Sequence, residues 1–287
     1  MGTMSLTSSK TGYRCGYQPL IPGVFFTPYP YPYRYGWSDA QTQAWCLDEL
    51  RFLLETQTAP EETAAVLIEP VLGEGGYVVP PQRFLQGLRE ICDEHGMLLI
   101  TDEVQSGIGR TGKWFAFEHF EVVPDIIVAA KGLASGLPLS GVFSSMELME
   151  RWPPGSHGGT MGGNVVACAA AAETLRVIRE EELLENAAVL GEDFRRGLRG
   201  LSEKYPRMGE VRGLGLMNGV EFTRADGSPD AEIAKEIIRQ ARNKGLLLIS
   251  CGTYNNVIRF IPPLTVSDNE IGQCLSVLED VLSGVNC

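Results

Sequence analysis

The chain has 287 residues, 44% of them hydrophobic, and 36 acidic against 24 basic side chains give it a formal net charge of -12. That is enough apolar material for one large or two modest cores, and the acidic excess argues against nucleic acid or an anionic membrane surface as the main partner. No apolar run approaches the ~20 residues that span a bilayer, and the opening MGTMSLTSSK lacks the basic start and apolar core of a secretory signal. Seven cysteines (Cys15, Cys46, Cys92, Cys168, Cys251, Cys274, Cys287) lie scattered without a CxxC pair, which favours free thiols in a reducing compartment, the cytoplasm or an organelle matrix.

Residues 1 to 37 are rich in Gly, Pro and Tyr; the run PYPYPYRYG at Pro28 to Gly36 rules out a regular helix there and predicts a surface or interface loop. A helix is expected from the N-cap Ser38 to about Thr56, with Trp45, Leu50, Leu53 and Leu54 on its apolar side. Ala64 to Ile68 reads as a buried strand ending at Glu69, and the loop from Glu69 to Gly76 carries a second acid, Glu74. Phe84, Leu85, Leu88 and Ile91 recur at helical spacing before the stop signal Gly96. Strands then follow at Met97 to Thr101, Ile126 to Ala130 and Gly141 to Ser145. The segment from Met161 to Leu201 is largely helical, its alanine run suited to close packing.

After about Arg199 the pattern changes. Val211 to Phe222, Leu246 to Ser250 and Asn256 to Ile261 are strand candidates, with a helix at Asp230 to Lys244 stopped by Gly245 and a last helix opened by SDNE at Ser267 to Glu270, which has capping-box spacing. Repeated strand, helix, strand order predicts an α/β fold with a mostly parallel sheet flanked by helices, followed by a smaller C-terminal α/β domain. The expected division is 1–180 and 181–287.

The stretch Leu98 to Gly141 organises the rest. Two apolar runs each deliver a charged residue to a strand's carboxyl end, Asp102 to the first and Lys131 to the second, and ligands of open α/β sheets sit at such ends. Each residue alone has a plainer explanation: Asp102 as a turn former or helix cap, Lys131 as a solvated surface amine. The sequence around Lys131 supplies no acidic partner and little polar cover, however, and a desolvated amine becomes nucleophilic. Two nucleotide-binding patterns overlap here, GxGxxG at Gly107, Gly109 and Gly112, and GxxxxGK at Gly107 through Lys113. The first does not open a helix directly after its strand, and the second has Trp114 where a Walker loop needs Ser or Thr.

Five segments in order, IEPVLGEGGYVVPP (Ile68 to Pro81), TDEVQSGIGRTG (Thr101 to Gly112), AAKGLASGLPLSG (Ala129 to Gly141), HGGTMGGN (His157 to Asn164) and IRFIPPLTVS (Ile258 to Ser267), resemble the class III aminotransferases, pyridoxal 5'-phosphate enzymes of fold type I. The resemblance implies that Lys131 forms the Schiff base with the cofactor and later moves a proton, and that Asp102 keeps the pyridine nitrogen protonated. It further implies that Val104 packs on the ring face, that Gln105 binds the phenolic oxygen, and that Thr160 binds the cofactor phosphate of a neighbouring subunit in a homodimer. Arg259 would hold a substrate α-carboxylate, and Glu69 would pair with Arg259 when that carboxylate is absent. The plainer alternatives are a helix-capping Thr160 in a glycine-rich loop, a Glu69 that caps its own loop, and an Arg259 that spans a strand edge to solvent. Val165 stands where the family usually has Pro.

The reaction implied is transfer of an amino group from an amine or ω-amino acid to a 2-oxo acid. Amino-acid racemisation or epimerisation on the same scaffold is the enzymatic alternative. The family also has an N-terminal portion, with a Gly/Ser-rich phosphate turn and an aromatic ring stacking on the cofactor, that is not found ahead of Met1. The other alternative is therefore an inactive fragment or partner with weak cofactor binding. No metal site is expected.

Overall fold

The structure, a computed structural model, describes residues 2–285, so Cys287 lies outside the described residues. Two four-stranded sheets form its framework. The first contains β1 (Ala65–Ile68), β2 (Leu98–Asp102), β3 (Ile126–Ala129) and β4 (Gly141–Ser144) in that spatial order. β1, β2 and β3 run parallel, while β4 returns antiparallel to β3. Ile68 lies opposite Thr101 and Asp102 opposite Val128, so the three parallel strands end at one level. The residues that leave those ends are Glu69, Asp102 and Lys131.

Helices cover both faces of this sheet. Asp39–Thr56 begins with a complete capping box between Ser38 and Gln41. Arg83–His95 ends at Gly96, whose φ of 67° is the left-handed conformation that glycine adopts without a Cβ penalty. Cys46, Leu50 and Leu54 of the first helix and Phe84, Leu85, Leu88 and Ile91 of the second form one core with Leu99. Fully buried side chains such as Leu85, Leu88 and Ile91 each contribute about 1.5–3 kcal/mol. On the opposite side Ala129, Leu133 and Ala134 pack with Ala171 and Ile178 of the helix Val165–Glu180, where small alanines allow the close approach.

The second sheet, β5 (Met208–Leu214), β6 (Met217–Phe222), β7 (Ile249–Cys251) and β8 (Val257–Phe260), is antiparallel throughout in the order β5-β6-β8-β7. Leu183–Ser202, Ala231–Asn243 and Asp268–Gly284 cover it, burying Phe194, Leu198, Ile237 and Val281 against Val220, Phe222 and Ile258. The predicted capping box at Ser267 and Glu270 is present. The long helical passage is broken at Glu182, which takes a φ of 53°.

Two expectations are corrected. Pro32–Tyr35 is a one-turn helix inside the proline-tyrosine run, with Pro32 at its first position and Gly36 closing it at φ 66°; a proline at that position removes only an N–H that a helix start leaves unpaired anyway. Val211 to Phe222 is not one strand but a hairpin, turned at Gly215 with φ 52°. A Cβ there would come within 2.3 Å of the Thr111 carbonyl carbon, so glycine is required for space as well as conformation.

Candidate active site

The ends of β1, β2 and β3 open beside a cavity of about 940 Å³ whose lining includes Glu74, Gln105, Lys131 and Arg259. Lys131 follows β3 after the single residue Ala130 and holds a φ of 28°, in the left-handed region where a non-glycine residue is strained. Its amine is pushed below the usual lysine range chiefly by burial. Arg259 acts in the same direction, whereas Glu74, Glu69 and Asp102 oppose it. The flanking sequence supplies Lys131 with no acid, as its reading implied; the carboxylates whose charge acts on it belong to the loop after β1 and to the end of β2, which the common level of the strand ends brings to the same side.

Asp102 is half-buried at the end of β2, and its Oδ1 accepts a hydrogen bond from the Val104 N–H at 3.0 Å. The next acid, Glu103, is buried. It accepts from the Ser106 hydroxyl at 2.5 Å and from the N–H groups of Ala116 and Phe117 at 2.9 and 2.8 Å. These bonds pin both ends of the loop that carries Val104 and Gln105 along the cavity. Gln105 Nε2 donates to Glu74 at 3.4 Å, while its buried Oε1 has no partner.

Arg259 leaves β8 toward the same cavity, and its Nη1 meets the Glu74 carboxylate at 2.5 Å. The acid paired with Arg259 is therefore Glu74, not Glu69 as expected. Glu69 caps its own loop instead, accepting from the Gly73 N–H at 2.6 Å. Burial pushes its carboxyl up to about 7 despite that bond. Burial also raises Glu74, but the hydrogen bond and charge of Arg259 outweigh it and hold Glu74 below the usual carboxylate range. The loop bearing Glu74 is fixed to the second sheet from two sides, by Gly252 N–H to the Glu74 carbonyl at 3.0 Å and by Arg212 to the Gly76 carbonyl at 2.7 Å. Tyr13 adds a hydroxyl to the other Glu74 oxygen at 3.3 Å.

Thr160 stands apart from this constellation. It is exposed in the loop before Val165–Glu180 and does not line the cavity. In the same loop His157 stacks on Trp152, ring centroids 5.1 Å apart. Gly109 and Gly112 of the nucleotide-binding patterns lie in turns that dock the second half of the chain: Cβ atoms there would sit 3.0 Å from Leu184 and Ala188 respectively, and Leu216 N–H donates to the Arg110 carbonyl at 3.0 Å, while a Cβ at Gly107 would come within 2.8 Å of the Glu103 carbonyl in its own loop. They are packing glycines. Sequence reasoning gave no role to Tyr13, Tyr77, Glu103, Arg110 or Arg212. Only Glu74 carried a local signal, as a second acid in a glycine-rich loop after a strand. Among the described residues no group of three or more His, Cys, Asp or Glu side chains could hold a metal ion.

An acid and an amine on adjacent parallel strand ends, an ion-paired arginine across the cavity and the fold that positions them are a family constellation. The chain matches the family profile "Aminotransferase class-III" over residues 1–282 and belongs to the class III aminotransferases. It is 45% identical over 278 residues to 4-aminobutyrate aminotransferase GabT of Escherichia coli (strain K12), covering 96% of this chain and 64% of that protein. To 5-aminovalerate aminotransferase DavT of Pseudomonas aeruginosa it is 42% identical, covering 98% of this chain and 65% of the relative. An alanine/serine racemase of Pyrococcus horikoshii is 41% identical, with 99% and 62% covered. The chain thus spans a little under two thirds of the length of these relatives. A Bacillus anthracis aminotransferase superposes with a TM-score of 0.92 at 31% identity, covering 99% of this chain and 66% of that one. An amine transaminase from an uncultivated Pseudomonas species, crystallised in its PLP-bound form, gives 0.89 at 32% identity, with 96% and 64% covered.

Proposed function

We propose that the chain carries the catalytic centre of a pyridoxal-phosphate-dependent transaminase that moves an amino group from an amine or ω-amino acid to a 2-oxo acid. The observation that carries this reading is the Lys131 amine, with its lowered pKa, beside Asp102 at one end of the sheet. The residues present fit the cofactor. The cavity is large enough, Lys131 offers a nucleophile, and the unpartnered buried Oε1 of Gln105 awaits a donor.

When bound, pyridoxal phosphate supplies an electron sink that stabilises a carbanion next to the amino group. Lys131 would hold it covalently and then carry a proton between carbon atoms, a task suited to an amine whose pKa lies nearer neutrality than in water. Asp102 would hold a proton on the ring nitrogen by its charge. Val104 would pack on the ring face and Gln105 meet the phenolic oxygen. Thr160, exposed and away from its own cavity, suits a phosphate contact in a second copy, so a homodimer is part of the proposal; sedimentation at twice the chain mass is the result expected of it. Arg259 would hold a carboxylate once Glu74 releases it, and Glu69 would act only on its own loop.

The donors named for the two aminotransferase relatives, 4-aminobutyrate and 5-aminovalerate, support an ω-amino acid with a terminal carboxylate. The racemase relative supports a second reading, amino-acid racemisation, which needs the same lysine and acid. Appearance of amino groups on an added 2-oxo acid separates the two, because racemisation transfers none. We also propose a division into domains 1–180 and 181–287, supported by the helix break at Glu182 and by a core belonging to each sheet beside the residues that the two halves share. No helix among the described residues is long and apolar enough to cross a membrane; a cytoplasmic or organelle-matrix setting remains part of the proposal.

The test is an absorption spectrum of the purified chain after adding pyridoxal phosphate. A band at roughly 410–430 nm, that of a lysine-bound cofactor, is expected in the native chain and not in Lys131→Ala. A band of equal strength in both, or in neither, would overturn the assignment of Lys131.

A further inference from the structure

The cavity wall beside Arg259 contains a tyrosine with an unusual combination of properties. Tyr77 lines the cavity and is 0% exposed; Arg259 is the polar neighbour that acts on its hydroxyl oxygen, and the hydroxyl hydrogen has no acceptor. Its backbone is held at a φ of 56°, a conformation that a bulky side chain rarely adopts. The Arg259 guanidinium carbon lies 6.0 Å from its ring centroid, and Arg259 Nε is itself buried without a partner. Two unpaired donors therefore stand together at one corner. Phenylalanine would fill the same space without the penalty of burying a hydroxyl; Arg259 can act on the hydroxyl oxygen, but the hydroxyl hydrogen is left for a group that enters the corner.

The charges of the corner say what kind of group that is. Arg110 also lines the cavity, and it donates to the Pro262 and Leu216 carbonyls at 2.5 and 3.4 Å rather than to a carboxylate. Its charge and that of Arg259 both act on the Tyr77 hydroxyl. Glu74 is the acid that balances Arg259, and it does so on Nη1, leaving Nε free. A ligand that displaces Glu74 from this cationic corner must be an anion with acceptor oxygens, and a carboxylate has enough lone pairs to take the guanidinium fork and a hydroxyl at once.

We propose that the Tyr77 hydroxyl is a specificity-determining donor to the substrate carboxylate held by Arg259, so that the cavity favours carboxylate-bearing substrates over plain amines. This rests on the reading of Arg259 given above. The phenol adds a bond that an amine lacking a carboxylate cannot use, and its strained backbone fixes the ring in place before the ligand arrives.

Calorimetric titration of the full chain with glutarate, a dicarboxylate that carries no amino or oxo group, tests the proposal in native protein, Tyr77→Phe and Arg259→Gln. Tyr77→Phe is expected to weaken glutarate about 10-fold or more, the range for a hydrogen bond to a charged group, and Arg259→Gln to abolish binding. The denaturation midpoint of ligand-free Tyr77→Phe should be equal to or above that of the native chain, because the hydroxyl hydrogen it loses has no acceptor. A lowered midpoint with unchanged affinity would make Tyr77 a structural residue and overturn the inference, as would unchanged affinity alone. If glutarate binds the native chain and Arg259→Gln equally, or binds neither, the reading of Arg259 fails and this inference falls with it; loss in Arg259→Gln with full binding in Tyr77→Phe sinks the Tyr77 assignment alone.

Discussion

Glu69 and Glu74 leave the same loop, and the fold drives their carboxyls in opposite directions because only Glu74 reaches an arginine. Glu69 binds its proton more tightly folded than unfolded, its pKa moving from 4.5 to about 7. Its contribution to stability is therefore complete below pH 4.5 and is lost as pH rises through about 7. Glu69→Gln keeps an acceptor for the Gly73 N–H without the charge. It is expected to gain about 1–3 kcal/mol over the native chain at pH 8 and nothing at pH 4, read from urea midpoints at the two pH values; equal midpoint differences at both would show that Glu69 does not titrate as described. The pairing of Arg259 was the part of the site least legible in sequence. Both acids lie in one short loop, and which of them crosses to the second sheet depends on the Gly252 and Arg212 contacts, formed by residues more than a hundred positions away.

At the level of elements, the parallel strands and their helices were readable because each carries its own local signal. Ser38 and Gln41, Ser267 and Glu270, and Gly96 mark helix ends by bonds made within a few residues. Elements whose form is decided at a distance were not. The β5–β6 hairpin looked like one apolar strand because the reason for its turn is Thr111, packed against Gly215. Gly215→Ala should accordingly cost more than the ~1 kcal/mol of a simple left-handed penalty, on the order of 3 kcal/mol or above once the clash with Thr111 is included. A thermal midpoint shifted by no more than a helix-surface Gly→Ala control would contradict the close packing. The glycine-rich loop that imitates a phosphate cradle is explained by the same seam, since a motif of small residues signals close approach without saying what approaches.

At the scale of the molecule, both sheets expose apolar residues outward, and Val142 and Phe143 on β4 are 58% and 44% exposed. A strand edge of that character invites pairing with another chain, in keeping with the homodimer proposed above. The two sheets, for their part, are not independent. Val71, Tyr77 and Ala116 from the first half share one core with Met217, Cys251 and Val257 from the second. Arg212 and Arg110 tie backbone carbonyls across the same boundary. Neither half consequently has a melting temperature of its own. Heating should give a single calorimetric peak whose van't Hoff and calorimetric enthalpies agree, because a lesion in either lobe removes part of the other's interior.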